Sequence, residues 1–308
     1  MMTIMDRVLV KDNNEGMGFY EQLESQGIHI PESQRKRINS RLSEVLNYEP
    51  TVGIFGKTGS GKSSLCNALF GKDICKISDV EACTREKQEI LLNMDGNGIK
   101  LWDVPGIGEN EERDKEYAKL YEKLIPQMDL VLWIVKADDR ALASDEKFYK
   151  NIVKKYVDEG KPFFIVLNQI DKVEQFRKWD EEGHRPGIEQ FQNIHRKIND
   201  VARAFDVAPS KVIPISANEK YNLTVLVDEF VRALPNEKKV SFFNAVTEEH
   251  QSQETEKEVH RSLIDVALGV ASVIVGFAKD IIIEKIKNPV PVPAPFGFLG
   301  RVKRFFFG

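Results

Sequence analysis

The chain holds only three cysteines, Cys66, Cys75 and Cys83, in 308 residues. Their number is odd, no two stand in a C-x-x-C spacing and no histidine lies near them, so neither a disulfide framework nor a zinc site is expected. A reducing cytoplasm fits that usage. An excess of positive charge is also missing: 44 Lys and Arg against 48 Asp and Glu leave a formal net charge of −4. Such a balance gives no global field for drawing in nucleic acid, and any basic surface must be local. Long apolar runs are scarce. Asp6 and Arg7 interrupt the first ten residues, so no signal sequence is expected there. The most apolar stretch, Leu263 to Ile283, contains an unbroken run from Val266 to Ala278 of about thirteen residues, short of the roughly twenty needed to span a bilayer. No internal repeat is visible, and no pair of groups stands out as a general acid and base.

What the chain does have is Gly56-Lys57-Thr58-Gly59-Ser60-Gly61-Lys62-Ser63-Ser64, directly after the apolar run Thr51 to Phe55 and before a helix-forming run that reaches Phe70. This is G-x-x-x-x-G-K-[ST] between a strand and a helix, the context that gives the pattern its meaning. Glycines let the backbone turn with positive φ and approach an anion, and the N–H groups of the loop and helix start then face a β-phosphate. Residues 57 to 64 are the expected phosphate cradle. Lys62 reaches the β- and γ-phosphates, and the Ser63 hydroxyl is a ligand for Mg²⁺.

From Thr51 to about Pro235 strand and helix signals alternate. Apolar strands are expected at 51–55, 88–94, 99–104, 130–135, 163–167 and 212–215, with helices at 62–70, 112–125, 144–158, 188–205 and 223–233. Strands separated by helices imply a largely parallel sheet covered on both faces. Asp95-Gly96-Asn97-Gly98 reads as a hairpin turn, so one strand runs antiparallel at an edge. The expected fold class is α/β, a three-layer mixed sheet of the P-loop type. Helical extensions flank it, giving regions 1–48, 49–236 and 237–308. In the first, Ile38, Leu42, Val45 and Leu46 share a helix face while Arg35, Lys36, Arg37 and Arg41 lie on others. In the last, Glu248 to Glu258 is a charged, solvated stretch, followed by the apolar run, alternating prolines from Pro289 to Pro295, and the ending FGFLGRVKRFFFG.

Three short motifs at later strand ends specify the nucleotide. Asp103-Val104-Pro105-Gly106 can hold Mg²⁺ through a water at Asp103 and offer the Gly106 amide to a γ-phosphate. Asn168-Gln169-Ile170-Asp171 places a carboxylate where it accepts the ring N–H and exocyclic amine of guanine, a pattern adenine lacks; Asn168 braces the loop and base edge. Ser216-Ala217-Asn218 ends the next strand, with the Ala217 amide directed at the guanine carbonyl. Their order along one sheet edge points to GTP and GDP as ligands. The carboxylates of Asp138, Asp139 and Asp145, at a strand-to-helix junction, read as capping and solvated groups rather than metal ligands.

On these motifs the chain resembles the translation-factor-related GTPases of the TrmE, Era and EngA type, over about residues 50 to 235. More narrowly, GKTGSGKSSLCNALFGKDIC and LVLWIVKADDRALASDE look like the YfjP-like predicted GTPases of enterobacteria. The segment SDVEACTRE is similar to the family's first switch, and the resemblance implies that Thr84 ligates Mg²⁺ and senses the γ-phosphate. GTP hydrolysis would rest on Lys62, Thr84 and Gly106. Three departures bear on rate and affinity. Gln169 stands where the family has a Lys covering the base, Asn218 replaces a common Lys, and Ile107 stands where Ras-type enzymes carry a water-orienting Gln. Relatives with an apolar residue there use potassium held by a P-loop Asn, or a partner's residue; here the matching position is Gly59. Slow turnover is therefore expected, aided by a second copy or an activating protein.

The small or polar stripe Asp265, Gly269, Ser272, Gly276 and Lys279 leaves the rest of the apolar C-terminal helix in need of cover. The first region's helix, a second copy and a membrane surface are candidates. Arg301, Lys303 and Arg304 beside Phe305 to Phe307 suit peripheral contact with anionic lipid, or packing on the neighbouring domain. The expected activity is a cytoplasmic GTPase switch, with an assembling or membrane-associated GTPase as alternative and ribosome or RNA association, by analogy with Era, as the third. Nucleic acid is not an expected partner.

Overall fold

A computed structural model describes residue 20 and residues 29–71, 88–94, 97–103, 111–139, 141–174 and 176–275; within these, residues 42, 46, 88–94, 97–103, 111–115, 176, 260, 264, 268, 271, 274 and 275 are described by their backbone. They fall into two compact units: residues 49–234 with 241–252, and the described parts of 1–48, 235–240 and 253–308.

The larger unit is a six-stranded sheet in the order β2-β3-β1-β4-β5-β6. Its strands are β1 (Thr51–Phe55), β2 (Gln88–Met94), β3 (Asn97–Asp103), β4 (Leu130–Lys136), β5 (Phe163–Asn168) and β6 (Val212–Pro214). All pairings are parallel except β2 with β3, which is the antiparallel edge expected from the hairpin signal. The four-residue turn contracts, because the ladder runs on to Met94 opposite Asn97. Asn97 and Gly98 therefore belong to the strand, as a two-residue hairpin connection requires.

β1 and β5 are buried along their whole length and β4 in all but its last residue. That follows from near-continuous apolar runs covered by helices on both faces. α2 (Lys62–Phe70), α3 (Glu111–Leu124), α4 (Ala143–Phe148), α5 (Lys154–Asp158), α6 (Ile188–Phe205) and α7 (Leu223–Ala233) supply the cover. The helix expected over 144–158 is interrupted: Tyr149–Val153 is a π-helical turn between α4 and α5. One core face is aromatic. Phe55 meets Tyr121 at 4.6 Å and Trp133 at 5.9 Å, Trp133 meets Phe205 at 6.1 Å, and Tyr149 meets Phe163 at 5.1 Å. On the other, Phe230 lies 5.4 Å from Phe164 and 6.1 Å from Phe242, which also meets Phe70 edge-on. Phe242 brings the end of α8 (Asn236–Ala245) into this core, which is why residues 241–252 join the larger unit.

In the smaller unit α1 (Glu32–Leu46) packs on α9 (Gln253–Val275). The first region's helix is thus one cover for the apolar C-terminal helix. Ile38 and Val45 from the expected apolar face are buried, with Val259, Leu263, Val266 and Ala267. Glu258, expected to be merely solvated, pairs with Lys239, whose side chain is 9% exposed. Among the described residues no helix is long and apolar enough to cross a membrane. Residues 276–308, with Gly276, Lys279 and the basic-aromatic ending, lie outside the described residues.

His250 sits in the larger unit at 4% exposure. Burial holds its imidazole below the ordinary histidine value of 6.5, with Glu249 pulling the other way. The unfolded chain takes this proton near pH 6.5 and the folded chain only at lower pH, so the stability it confers is present above about 6.5 and lost as pH falls through the folded value. The melting temperature of the wild type should drop more steeply between pH 7 and 5 than that of His250→Gln; parallel slopes would contradict this.

Candidate nucleotide site

The site lies where β1, β3, β5 and β6 end. After Phe55 the chain turns through Gly56, at φ 140°, and Gly61, at φ 91°, into α2. Both positions need glycine for two reasons. A Cβ on Gly56 would stand 2.3 Å from the Ile134 carbonyl oxygen, one on Gly61 2.3 Å from Asn168 Nδ2, and each φ is one that side chains rarely adopt. Lys62, the first residue of α2, donates from Nζ to the carbonyls of Gly56 at 3.0 Å and Lys57 at 3.2 Å. Its ammonium lies across the loop's own carbonyl oxygens. Thr58 and Gly59 are exposed, Ser63 and Ser64 half-buried, and Ser60 is buried with a hydroxyl that has no hydrogen-bond partner.

One side chain reaches both the cradle and the two later loops. Asn168, at 1% exposure, donates from Nδ2 to the Ser60 carbonyl at 3.0 Å. Its Oδ1 accepts from the Gln169 amide at 2.8 Å and the Ala217 amide at 3.1 Å. Asn168 thus links its own loop to the P-loop and to the loop after β6, and the Ala217 amide, expected to face guanine, here donates to Asn168. Gln169, at φ 62°, donates from Nε2 to the Gly59 carbonyl at 3.0 Å and accepts from Lys172 Nζ at 2.8 Å. It ties the base loop to the P-loop, a link invisible when it is read only as a missing lysine. Asp171 presents a buried Oδ1 without a partner. A carboxylate oxygen left so, beside a loop braced on a phosphate cradle, is what an incoming pair of N–H donors would satisfy. Gln190 of α6 holds that loop from below by donating to the carbonyls of Asp171 and Val173, both at 3.1 Å. Ser216 is buried and its hydroxyl accepts from the Glu219 amide at 3.3 Å, while Asn218 is exposed.

On the phosphate side, register places Asp103 opposite Ile54, two residues before Gly56. Thr84, Gly106 and Ile107 lie outside the described residues. Among the described residues no cluster of three or more His, Cys, Asp or Glu could hold a metal ion. The three carboxylates after β4 divide. Asp138 pairs with Lys136 at the surface, and Asp139 accepts the Ala141 amide at 2.8 Å in a turn before α4, whose N-cap is Leu142 and carries no side-chain cap. Asp145 departs from that expectation: its side chain is 3% exposed and paired with Lys57 at 2.7 Å. The nearest sequence signal was Trp133 on β4, whose indole binds Asp145 at 3.2 Å, but only the folded sheet brings the two together.

A family model described as 50S ribosome-binding GTPase matches residues 51–169. YfjP of Escherichia coli K12, itself described as uncharacterized, is 41% identical over 203 residues, covering 66% of this chain and 68% of YfjP. GTPase Era of Heliobacterium modesticaldum is 30% identical over 185 residues, covering 60% of this chain and 54% of Era. The chain belongs to the Era-related P-loop GTPases, with YfjP. An Era structure solved with MgGDPNP and nucleotides 1506–1542 of 16S ribosomal RNA is similar at 27% identity and a TM-score of 0.46, covering 60% of this chain and 57% of that one. This GTPase spans about half the length of Era. It binds guanine nucleotide and hydrolyses GTP, and the family match ends at the Asn168-Gln169 pair, just before Asp171.

Two outcomes test the geometry. Asp171→Asn exchanges an acceptor for a donor, so GDP affinity should fall about a hundredfold while xanthosine diphosphate, which offers an acceptor there, binds better. Competition against fluorescent GDP reads both, and unchanged preference would contradict the base assignment. Asn168→Ala orphans the Ser60 carbonyl and the amides of Gln169 and Ala217, at about 1–3 kcal/mol for each buried group. Chemical denaturation should show a loss of stability of that order, and a loss within error would remove Asn168 from its bracing role.

Proposed function

We propose that this GTPase is a nucleotide-dependent switch with slow intrinsic turnover, needing a second copy or an activating protein for speed. The observation that carries it is the single side chain, Asn168, joining the phosphate cradle to both base-reading loops. One rigid junction makes the base and the phosphates parts of the same site.

The roles follow from charge. Lys62 neutralises β- and γ-phosphate oxygens. The α2 amides and the loop N–H groups add fixed positive potential. Ser63, at the second position of α2, and Asp103, at the end of the strand beside β1, are hard oxygen donors suited to Mg²⁺. Bound there, the ion would neutralise charge building on the phosphates. Thr84 and Gly106 are proposed to sense the γ-phosphate, and Asn218 to flank the base. With Ile107 following Gly106, the chain supplies no side chain there to hydrogen-bond the attacking water. The regions 1–48 and 237–308 are proposed to receive the switch's signal.

A second reading is association with the ribosome, supported by the family's description as ribosome-binding. The net charge of −4 alone is no ground for setting nucleic acid aside, because a local surface suffices.

GTP turnover per molecule should be slow in dilute protein and rise with protein concentration, or on adding an activating partner. A specific activity that stays flat across a dilution series in which oligomer forms would rule out self-activation.

A further inference from the structure

Lys57 is the first variable residue of the phosphate loop, yet its side chain points away from the cradle's mouth. Nζ lies 2.7 Å from Asp145 Oδ2 and 3.3 Å from Asp139 Oδ2, and also donates to the Ala141 carbonyl. All three oxygens belong to the junction between β4 and α4, Asp145 Oδ2 as an ion-pair partner. Asp145 is fixed in turn: its Oδ1 accepts the Trp133 indole N–H at 3.2 Å, and Trp133 stacks on Phe55, the residue just before Gly56. The contacts therefore close a ring, Phe55 to Trp133 to Asp145 to Lys57, around Gly56. Gly56 itself is pressed against the Ile134 carbonyl, with no room for a Cβ. The junction has a second tie, since Lys197 of α6 donates to the Asp139 carbonyl.

The backbone of Lys57 is what the ring controls. Its carbonyl accepts from Lys62 Nζ at 3.2 Å and from the Ser60 amide at 3.2 Å. Holding Lys57 at its side chain thus sets the carbonyl that seats the phosphate-binding lysine. We propose that Lys57 and Asp145 form a clamp that positions the phosphate loop, making both of them positioning residues for nucleotide binding. Lys57 acts through Lys62 and does not touch phosphate. A buried carboxylate would be costly without a partner, and Lys57 is the cation that satisfies it. Burial raises the Asp145 carboxyl above its ordinary range while Lys57 and the indole pull it down, and the Lys57 ammonium is held above its own ordinary value by both carboxylates against a lowering from burial.

This inference rests on the guanine-nucleotide reading of the site, and the experiment separates the two. GDP dissociation is followed by stopped-flow displacement of fluorescent GDP from the full chain, for wild type, Lys57→Met, Lys57→Arg, Asp145→Asn and the Met/Asn double variant. A clamp predicts dissociation about tenfold faster in Lys57→Met and in Asp145→Asn, and no faster in the double variant than in either single one. Lys57→Arg keeps the positive charge on a bulkier, planar group and should recover much of the loss seen in Lys57→Met. Should Asp145→Asn fail to fold, the Met and Arg variants of the partly exposed Lys57 still decide. The clamp is overturned if Lys57→Met dissociates GDP at the wild-type rate, if Arg fails as badly as Met, or if the two single effects multiply in the double variant. Wild-type protein that binds no GDP would instead overturn the nucleotide reading.

Discussion

The site depends on a buried amide. Asn168 closes β5 and uses both ends of its side chain: the NH₂ goes to the phosphate loop, the oxygen to its own loop and to the loop after β6. Three segments far apart in sequence thereby share one anchor with no direct contact to solvent. An amide can do this because it carries donor and acceptor on one rigid plane. Aspartate in its place would lack the donor for Ser60. The close approach of Gly61 to this amide explains why the glycine before Lys62 is required by packing as well as by φ.

Around that anchor the loop is held from two sides. Gln169 and Asn168 reach it from the base side at Gly59 and Ser60, and Asp139 and Asp145 reach it at Lys57. A backbone held at several points has less freedom left to lose on binding. Lys62 meanwhile rests on carbonyl oxygens that a phosphate must displace. Hydrolysis is proposed to need help from elsewhere, because the Ile107 that follows Gly106 cannot hydrogen-bond water.

Much of the arrangement could be read from the sequence. β1, α2, α6 and α7 occur where apolar periodicity and the glycine pattern place them, because strong local signals and tertiary context agree there. The antiparallel edge followed from the Asp-Gly, Asn-Gly run, although the turn proved shorter, since pairing of β2 with β3 overrides the turn preference of Asn97 and Gly98. The π-helical turn at Tyr149–Val153 left no sequence mark. Two functional features were also hidden. Gln169 reads as a lost lysine until its amide is seen on Gly59, and Asp145 reads as a helix-start carboxylate until the sheet places it under Trp133 and Lys57. Both depend on contacts across more than eighty residues, which periodicity cannot report.

The loops joined by Asn168 are proposed to form one guanine-selective site. The direct measurement is displacement of fluorescent GDP from the full-length chain by unlabelled GTP, GDP, ATP and ADP in the presence of Mg²⁺. Displacement by both guanine nucleotides at concentrations where the adenine nucleotides leave the label bound is the predicted result. Equal displacement by ATP and GTP would contradict the account, because Asp171 would then be reading nothing of the base.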